Sequence, residues 1–89
     1  MKNWQVYILQ CRDGSLYTGI TTNPERRIKE HNTSPKGAKY TRSRRPVKLV
    51  YLEESEDRSA ASKREWAIKK LTRNEKLLLV SKYNKDGIN

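Results

Sequence analysis

Residues 4–21 read WQVYILQCRDGSLYTGIT, two apolar runs separated by a short polar segment. The first run is rich in β-branched and aromatic residues, and Val6 and Ile8 share one face of an extended strand while the alternate apolar residues share the other. Apolar residues on both faces predict a central strand that is covered on both sides. Residues 12–15 have the composition of a turn, so residues 16–21 are expected to return as the second strand of a β-hairpin.

The length of the hairpin loop decides whether Tyr7 and Tyr17 lie on the same face of the sheet. A two-residue Asp13-Gly14 turn would put the two tyrosines on opposite faces, because side chains alternate along a strand. A three-residue loop over 13–15 would set Tyr17 opposite Cys11 and on the same face as Tyr7, and a bulge could do the same. Strand tyrosines are ordinarily packing residues. If both serve one site, the sequence predicts an odd loop or a bulge.

The remaining chain predicts one more strand and about three helices. Asn23 followed by Pro24 is typical of a helix start, and this helix is expected to run to about residue 32. Residues 33–46 lack apolar periodicity and are rich in Gly, Pro, Ser and Thr, which predicts a loop. The other expected elements are a strand over 47–52, a helix from Asp57 or Ser59 to about 71, a helix from Thr72 or Asn74 that includes 77–80, and a frayed tail over 81–89.

These elements predict a single α+β domain over residues 1–89, with a core from about 4 to 80. A chain of 89 residues is too short for two domains that each bury a stable core. A helix between the second and third strands makes those strands run in the same direction. We therefore expect a small three-stranded antiparallel-type sheet with the first strand in the middle, in the order β-β-α-β-α-α.

The sequence is strongly basic, with 20 Lys and Arg against 10 Asp and Glu, a formal net charge of +10. This excess predicts a polyanionic partner, and a merely solvated basic surface is the alternative. The charge is concentrated in residues 36–48, which we call the basic loop and which contain no acidic residue. Their Gly, Ser, Thr and Pro content and lack of helical amphipathicity favour phosphate contact over membrane contact. The cations of this loop are Lys36, Lys39, Arg42, Arg44, Arg45 and Lys48.

Other bulk properties exclude several classes of protein. No apolar stretch approaches the ~20 residues of a membrane-spanning helix, and the run over 6–9 is too short for the core of a secretory signal. We therefore expect a cytoplasmic protein with no membrane partner. Cys11 is the single cysteine, so neither an intrachain disulfide nor a cysteine metal cage can form. Any metal ion must be held mainly by oxygen.

Some charged residues fall where packing alone does not explain them. Glu65 lies beside Ala61 and Ile68 on the apolar stripe of a predicted helix, where an unpaired carboxylate is costly. It is either a metal ligand or a stripe-edge glutamate paired with one of the nearby cations. Arg27 and His31 are four residues apart and share a helix face, which fits a phosphate clamp and a solvated surface equally well.

Trp66 follows Glu65 on the same predicted helix and points away from it. An exposed tryptophan could stack on a nucleobase, whereas a buried one could dock the last helix. We favour docking because tryptophan has so much apolar area to bury.

The motif Val6-Tyr7-Ile8, followed by Tyr17-Thr18-Gly19 and then Arg27, resembles the signature of GIY-YIG nuclease domains. Glu65 matches the metal-binding glutamate of that superfamily, and the order of elements is similar from about residue 4 to 80. Residues 36–41 and 45–47 are also similar to small single-domain bacterial members. The resemblance implies a metal-dependent endonuclease that hydrolyses nucleic-acid phosphodiester bonds, in DNA more than RNA, with repair or recombination as its setting.

The resemblance also implies a role for each matched residue. Tyr7 would be the general base that activates water, and Tyr17 would orient the nucleophile and the scissile phosphate. A phenol has an ordinary pKa of ~10, so this role requires a nearby cation or metal. Arg27 would stabilise the transition-state charge, His31 would support the active site, and Glu65 would hold one Mg²⁺ or Mn²⁺ ion. The residues expected to contact nucleic acid are Lys36, Lys39, Tyr40, Arg42, Arg44 and Arg45.

Two other functions stay open at this point. The chain could bind nucleic acid with the same basic surface without cutting it, or it could be a small subunit that recruits a larger partner. Larger members of the superfamily carry separate DNA-binding or partner domains, so a larger protein is among the expected partners. Glu65 separates these alternatives, because a pure binding module needs cations and aromatic rings but no metal-binding carboxylate.

Overall fold

A three-stranded antiparallel sheet with helices on both faces forms the fold. The computed structural model describes residues 3–87. The elements are β1 (Trp4–Gln10), β2 (Leu16–Thr21), α1 (Pro24–Thr33), α2 (Lys39–Arg42), β3 (Lys48–Ser55), α3 (Arg58–Lys69) and α4 (Arg73–Gly87). The strand order is β2-β1-β3, and β1 is antiparallel to both neighbours. The predicted α+β class and the central position of the first strand are therefore confirmed.

The β1–β2 hairpin closes with a three-residue loop over 12–14. The backbone N–H of Cys11 donates to the carbonyl of Ser15 at 2.8 Å, and the N–H of Gly14 donates back to the carbonyl of Cys11 at 2.9 Å. Gly14 has a φ of +86°, a left-handed conformation that glycine adopts without a Cβ clash. This combination of a tight turn and a left-handed glycine is a common three-residue hairpin connection.

This odd loop places Tyr7 and Tyr17 on the same face of the sheet, as predicted. Tyr17 pairs with Leu9, which is two residues from Tyr7 and therefore shares its face. The predicted register is wrong in detail, because Tyr17 does not lie opposite Cys11. The loop begins one residue earlier than expected, and Cys11 hydrogen bonds with Ser15 instead.

Each face of the sheet has its own core cluster. On one face Val6 and Ile8 pack with Ala61 and Ile68 of α3, and residues of α4 complete this cluster. On the other face Tyr7, Leu9, Cys11 and Val47 pack with residues that include Ile28 of α1. Because β1 contributes to both clusters, four of its residues in succession are buried. Tyr7 thus belongs to the α1 layer, whereas α3 lies in the opposite layer.

Local capping explains where three of the helices begin. The side chain of Asn23 caps α1, with Pro24 in the first helical turn as predicted. Asp57 caps α3 through its carboxylate, and Thr72 and Glu75 form a reciprocal capping box at the start of α4. The sequence left Asp57 or Ser59, and Thr72 or Asn74, as alternatives, and the structure selects the first of each pair.

Some predicted boundaries need correction. Residues 33–46 are not entirely loop, because they include the short helix α2. Local hydrogen bonds hold this helix and need no apolar periodicity. The order of elements is therefore β-β-α-α-β-α-α. The third strand is longer than predicted and runs to Ser55. Instead of fraying from 81, α4 continues to Gly87, and Tyr83 packs against Tyr51 of β3 with ring centroids 5.7 Å apart. Residues 88–89 of the expected tail lie outside the described residues.

Within residues 3–87 no helix combines the length and the hydropathy of a membrane-spanning segment.

Candidate active site

Tyr7 is a buried phenol whose hydroxyl group has polar partners. Its side chain is 2% exposed, and its Oη lies 2.9 Å from Nε2 of His31. Burial raises the pKa of Tyr7 to about 12, and a hydrogen bond from the Arg27 guanidinium partly opposes this shift. The phenol is therefore protonated at neutral pH in the free protein.

His31 is fully buried and held from both sides of its ring. Its Nδ1 lies 2.9 Å from Oγ1 of Thr41 and 3.3 Å from the backbone N–H of Ala38. Because a backbone amide can only donate, we assign the lone pair to Nδ1 and the proton to Nε2, which then donates to Tyr7 Oη. Burial, followed by the charge of Arg27, lowers the pKa of His31 to about 4, so the ring is neutral at pH 7.

The solvated-surface interpretation of the Arg27 and His31 helix face is therefore wrong for His31. Thr41, which was not predicted as a site residue, is fully buried and supports the histidine. No local signal singles out this threonine, since it lies in a polar segment without apolar periodicity.

Arg27 is fixed beside the tyrosine by two further contacts. Its Nη1 donates to Oε1 of Glu30 at 3.0 Å and to the backbone carbonyl of Lys36 at 2.9 Å. The Arg27 hydrogen bond holds the pKa of Glu30 below its usual range, so this carboxylate stays charged at neutral pH. The guanidinium is thus oriented before any ligand binds, which is the arrangement that electrostatic catalysis requires.

Gly19 allows the Tyr7 ring to lie across the neighbouring strand. The two residues are paired between β1 and β2. A Cβ atom on residue 19 would lie 2.5 Å from Tyr7 Oη and 2.6 Å from Cζ, far inside normal contact distance. Gly19, the glycine of the Tyr17-Thr18-Gly19 motif, is therefore needed so that the Tyr7 ring can lie close to β2. Because it has no side chain, the phenol reaches the β2 edge.

Tyr17 connects the buried pair to the protein surface. Its ring centroid lies 6.4 Å from that of Tyr7 and 5.2 Å from that of His31. On its other side it stacks with Tyr40 of α2 at 6.0 Å, and the guanidinium carbon of Arg44 lies 4.1 Å from the Tyr40 centroid. Tyr40 is 41% exposed, so an aromatic cluster runs from the site to solvent.

Glu65 approaches the site from the opposite layer. Arg64 and Glu65 lie on opposite sides of the buried stripe that Ala61 and Ile68 form on α3. Arg64 pairs with Glu53 of β3 at 3.0 Å, so Glu65 lies on the side of α3 that faces the β2 edge. Burial is the main cause of the raised pKa of Tyr7, and the Glu65 carboxylate adds to it, which places that charge within electrostatic reach of the phenol. Glu65 Oε2 also lies 3.1 Å from Nζ of Lys69. This is the contact expected if Glu65 lies at the edge of the apolar stripe and pairs with a nearby cation.

A metal ion at Glu65 would have few protein ligands. In the part of the chain that the structure describes, no group of three or more His, Cys, Asp or Glu side chains could hold a metal. Mg²⁺ commonly binds through one or two carboxylates and takes its other ligands from water and substrate phosphate. A cation held by Glu65 would therefore take its other ligands from water and substrate phosphate.

The cations of the basic loop are of two kinds. Arg45 donates to the carbonyls of His31 and Ser34, so it caps the carboxyl end of α1. Arg42 and Arg44 also donate to carbonyls of nearby residues, and Arg44 pairs with a carboxylate of the hairpin loop. The exposed lysines of this loop are Lys36, Lys39 and Lys48. The arginines thus hold the loop in place, while the lysines face solvent.

Trp66 does not dock the last helix, so the favoured prediction for this residue is wrong. Its side chain is 62% exposed, and Nζ of Lys70 lies 3.6 Å from its ring centroid. Trp66 is rotated by about 140° from Ala61 around α3, which turns it away from the sheet. The last helix, α4, packs against β3 instead of covering this outer face.

The chain shares its sequence and fold with known proteins. The profile of the GIY-YIG catalytic domain family matches residues 3–84. The chain is 69% identical over 77 residues to the UPF0213 protein DP2720 of Desulfotalea psychrophila, a match that covers 86% of this chain and 70% of that protein. It is 63% identical over 76 residues to the UPF0213 protein CPE1444 of Clostridium perfringens, covering 85% and 81%.

Two solution NMR structures are also similar. The UPF0213 protein BH0048 of Bacillus halodurans has a TM-score of 0.56 at 50% identity, covering 88% of this chain and 82% of that one. The protein EF2693 of E. faecalis has a TM-score of 0.62 at 48% identity, covering 94% and 92%. With the two tyrosine motifs on one face and the family profile spanning almost the whole sequence, the chain belongs to the GIY-YIG catalytic domain family.

Proposed function

We propose that the protein is a divalent-metal-dependent endonuclease that hydrolyses phosphodiester bonds in nucleic acid, with DNA the expected substrate and repair or recombination the expected setting. The observation that carries this proposal is the Tyr7 hydroxyl group, which is buried against His31 and Arg27 and within reach of the Glu65 charge. A phenol with a strongly perturbed pKa and several polar partners suits proton transfer better than packing alone.

In this mechanism Tyr7 accepts the proton of the attacking water. Its oxygen lies 2.9 Å from His31 Nε2, and the Arg27 guanidinium acts to lower the pKa of Tyr7. A donor and a positive charge both favour the phenolate over the phenol. Because burial raises the Tyr7 pKa to about 12, further positive charge is needed to produce the base at neutral pH. A divalent cation on Glu65 would supply that charge and polarise the phosphate.

The other site residues position the substrate and stabilise charge. Arg27 is held by Glu30 and the Lys36 carbonyl, so its guanidinium is oriented to stabilise negative charge on the phosphorus centre. Tyr17 packs beside His31 and lies on the same face as Tyr7, where its hydroxyl can orient the phosphate. The oxygen of water forms the new bond to phosphorus as the leaving oxygen departs.

The test is an incubation of purified protein with single-stranded, branched and duplex DNA, and with RNA of the same sequence, in Mg²⁺, Mn²⁺ or EDTA. Glu65→Gln should abolish divalent-dependent cleavage and leave DNA affinity nearly unchanged, because it removes a ligand without adding negative charge. Glu54→Gln removes the same charge from an exposed position on β3 and should cleave normally. Equal cleavage by Glu65→Gln and the parent protein would refute the metal assignment.

A nucleic-acid-binding module without nuclease activity is the second candidate. The ion pair between Glu65 and Lys69 favours it, because a carboxylate that is already neutralised needs no metal. Under this alternative the same incubation would show binding to DNA or RNA but no cleavage in either metal.

A further inference from the structure

A small groove between α2 and the first turn of α4 has no part in the mechanism above. It encloses about 210 Å³ and is lined by Ser15, Leu16, Tyr40, Arg73 and Lys76. The two cations are three residues apart and share a face of α4. A partly exposed tyrosine, two cations and the side chain of Ser15 therefore meet in a single surface groove.

This groove adjoins the candidate active site through the aromatic cluster. Tyr40 lines the groove and stacks on Tyr17, and the ring of Tyr17 lies 6.4 Å from that of Tyr7. Successive phosphates of one B-form strand are about 3.4 Å apart along the helix axis. A strand with its scissile phosphate at Tyr7 therefore reaches the groove within a few nucleotides.

The size and chemistry of the groove suit one nucleotide. A cavity of about 150 Å³ in another protein is large enough for a benzene ring, so a groove of this volume suits one nucleobase and not a base pair. Arg73 and Lys76 attract a phosphate, and Tyr40 offers an aromatic contact that is tolerant of base identity. A base inside a duplex can enter only after it has been unpaired and unstacked, which costs free energy.

We propose that this groove binds one unpaired nucleobase of the strand to be cut, with the adjoining phosphate held by Arg73 and Lys76. The inference rests on the proposed nuclease function and gives it a substrate class. The substrate carries an unpaired nucleotide within a few positions of the scissile bond, as single-stranded and gapped DNA do.

The experiment measures binding separately from cleavage. Fluorescence anisotropy in EDTA gives the Kd of the intact protein for a duplex and for the same duplex with a short single-stranded gap. The parent protein should bind the gapped DNA more tightly. Tyr40→Leu should reduce this preference, measured as the ratio of the two Kd values, by about fivefold or more, which is the smallest effect expected for the loss of one base–aromatic contact. The double variant Arg73→Gln/Lys76→Gln should separately reduce the ratio by about the same factor.

Two controls make the result specific to the groove. Tyr40→Phe keeps the ring and should keep the preference for gapped DNA. The double variant Lys63→Gln/Lys82→Gln removes two charges from exposed positions that do not line the groove, and it should not change the ratio of the two Kd values. Thermal melting of each variant verifies that it is folded.

Several results would overturn the inference. These are equal binding of both DNAs by the parent protein, equal losses on both DNAs in the groove variants, and an unchanged preference in Tyr40→Leu. If only the proposed nuclease function is wrong, the result is different. The protein would then prefer gapped DNA, the groove variants would lose this preference, and no cleavage would occur in Mg²⁺ or Mn²⁺. Cleavage with a preference that does not depend on the groove would refute this inference alone.

Discussion

Replacing Gly19 with alanine should displace the Tyr7 ring and abolish most of the cleavage activity. The added Cβ would lie 2.5 Å from Tyr7 Oη, whereas ordinary contact begins at 3.4 Å, so one of the two groups must move by about 0.9 Å. Tyr7 is 2% exposed and hydrogen bonded to His31, and it packs against the ring of Tyr17. The phenol therefore has little free space to move into.

Two magnitudes follow from this displacement. Overpacking a filled site typically costs about 1–3 kcal/mol of folding free energy, and the variant should lose stability in that range. A shift of about 1 Å in a reacting group can lower a rate by about 10²-fold, and the same shift would break the 2.9 Å contact between Tyr7 Oη and His31 Nε2. The expected outcome is a modest loss of stability and a large loss of activity.

The assay pairs initial rates of DNA cleavage with urea unfolding of the same preparations. Gly14→Ala is the matched control, because its φ of +86° strains any residue with a Cβ, while nothing lies within 4 Å of the added atom. It should lose about 1–2 kcal/mol of stability but keep its activity. Cleavage by Gly19→Ala close to the parent rate would show that the Tyr7 ring is not displaced or need not be fixed, and an equal loss of activity in Gly14→Ala would show that the effect is not specific to this contact.

Other predictions concern the histidine and the basic loop. The free energy of unfolding should fall by up to about 3 kcal/mol as the pH falls from 6.5 to about 4, because the unfolded chain protonates His31 in this window while the folded protein excludes the proton. Urea unfolding at each pH should show that the stability of His31→Gln lacks this loss between pH 6.5 and about 4. Replacing Lys36 and Lys39 with Gln should lower the salt dependence of DNA binding by up to ~0.9 per lost phosphate contact, and an unchanged slope would show that neither lysine contacts phosphate. Arg45→Gln should instead lower the unfolding midpoint in urea, because this arginine caps α1; unchanged stability would contradict that role.

Local signals in the sequence predicted most of the elements. The apolar residues on both faces of the first run indicated a central strand, and β1 contributes to both core clusters. Asn23 was predicted as a cap, and Asp57 was one of two candidates for the next one, because a cap and the amide it binds are only three residues apart. The short α2 was missed because a single helical turn leaves no periodic pattern.

The candidate site was only partly predictable. The odd hairpin loop could be inferred from a requirement that Tyr7 and Tyr17 share a face, although Asp13-Gly14 favours a two-residue turn. The family motif named Arg27, His31 and Glu65, but the roles expected of them remain predictions. Neither the motif nor the spacing indicated that His31 would be buried between Tyr7 and α2.

Composition and local pattern were enough to predict the class of fold, the central strand, the start of α1 and the excess of positive charge, because each depends on composition or on residues a few positions apart. Packing between separate parts of the chain determines that Arg45 caps a helix while Lys39 faces solvent, and that Trp66 is exposed. It also determines that Tyr40 and Arg73 line one groove. These outcomes depend on which segments of the chain meet, and similar side chains in one loop acquire different roles when only some of them find backbone carbonyl partners.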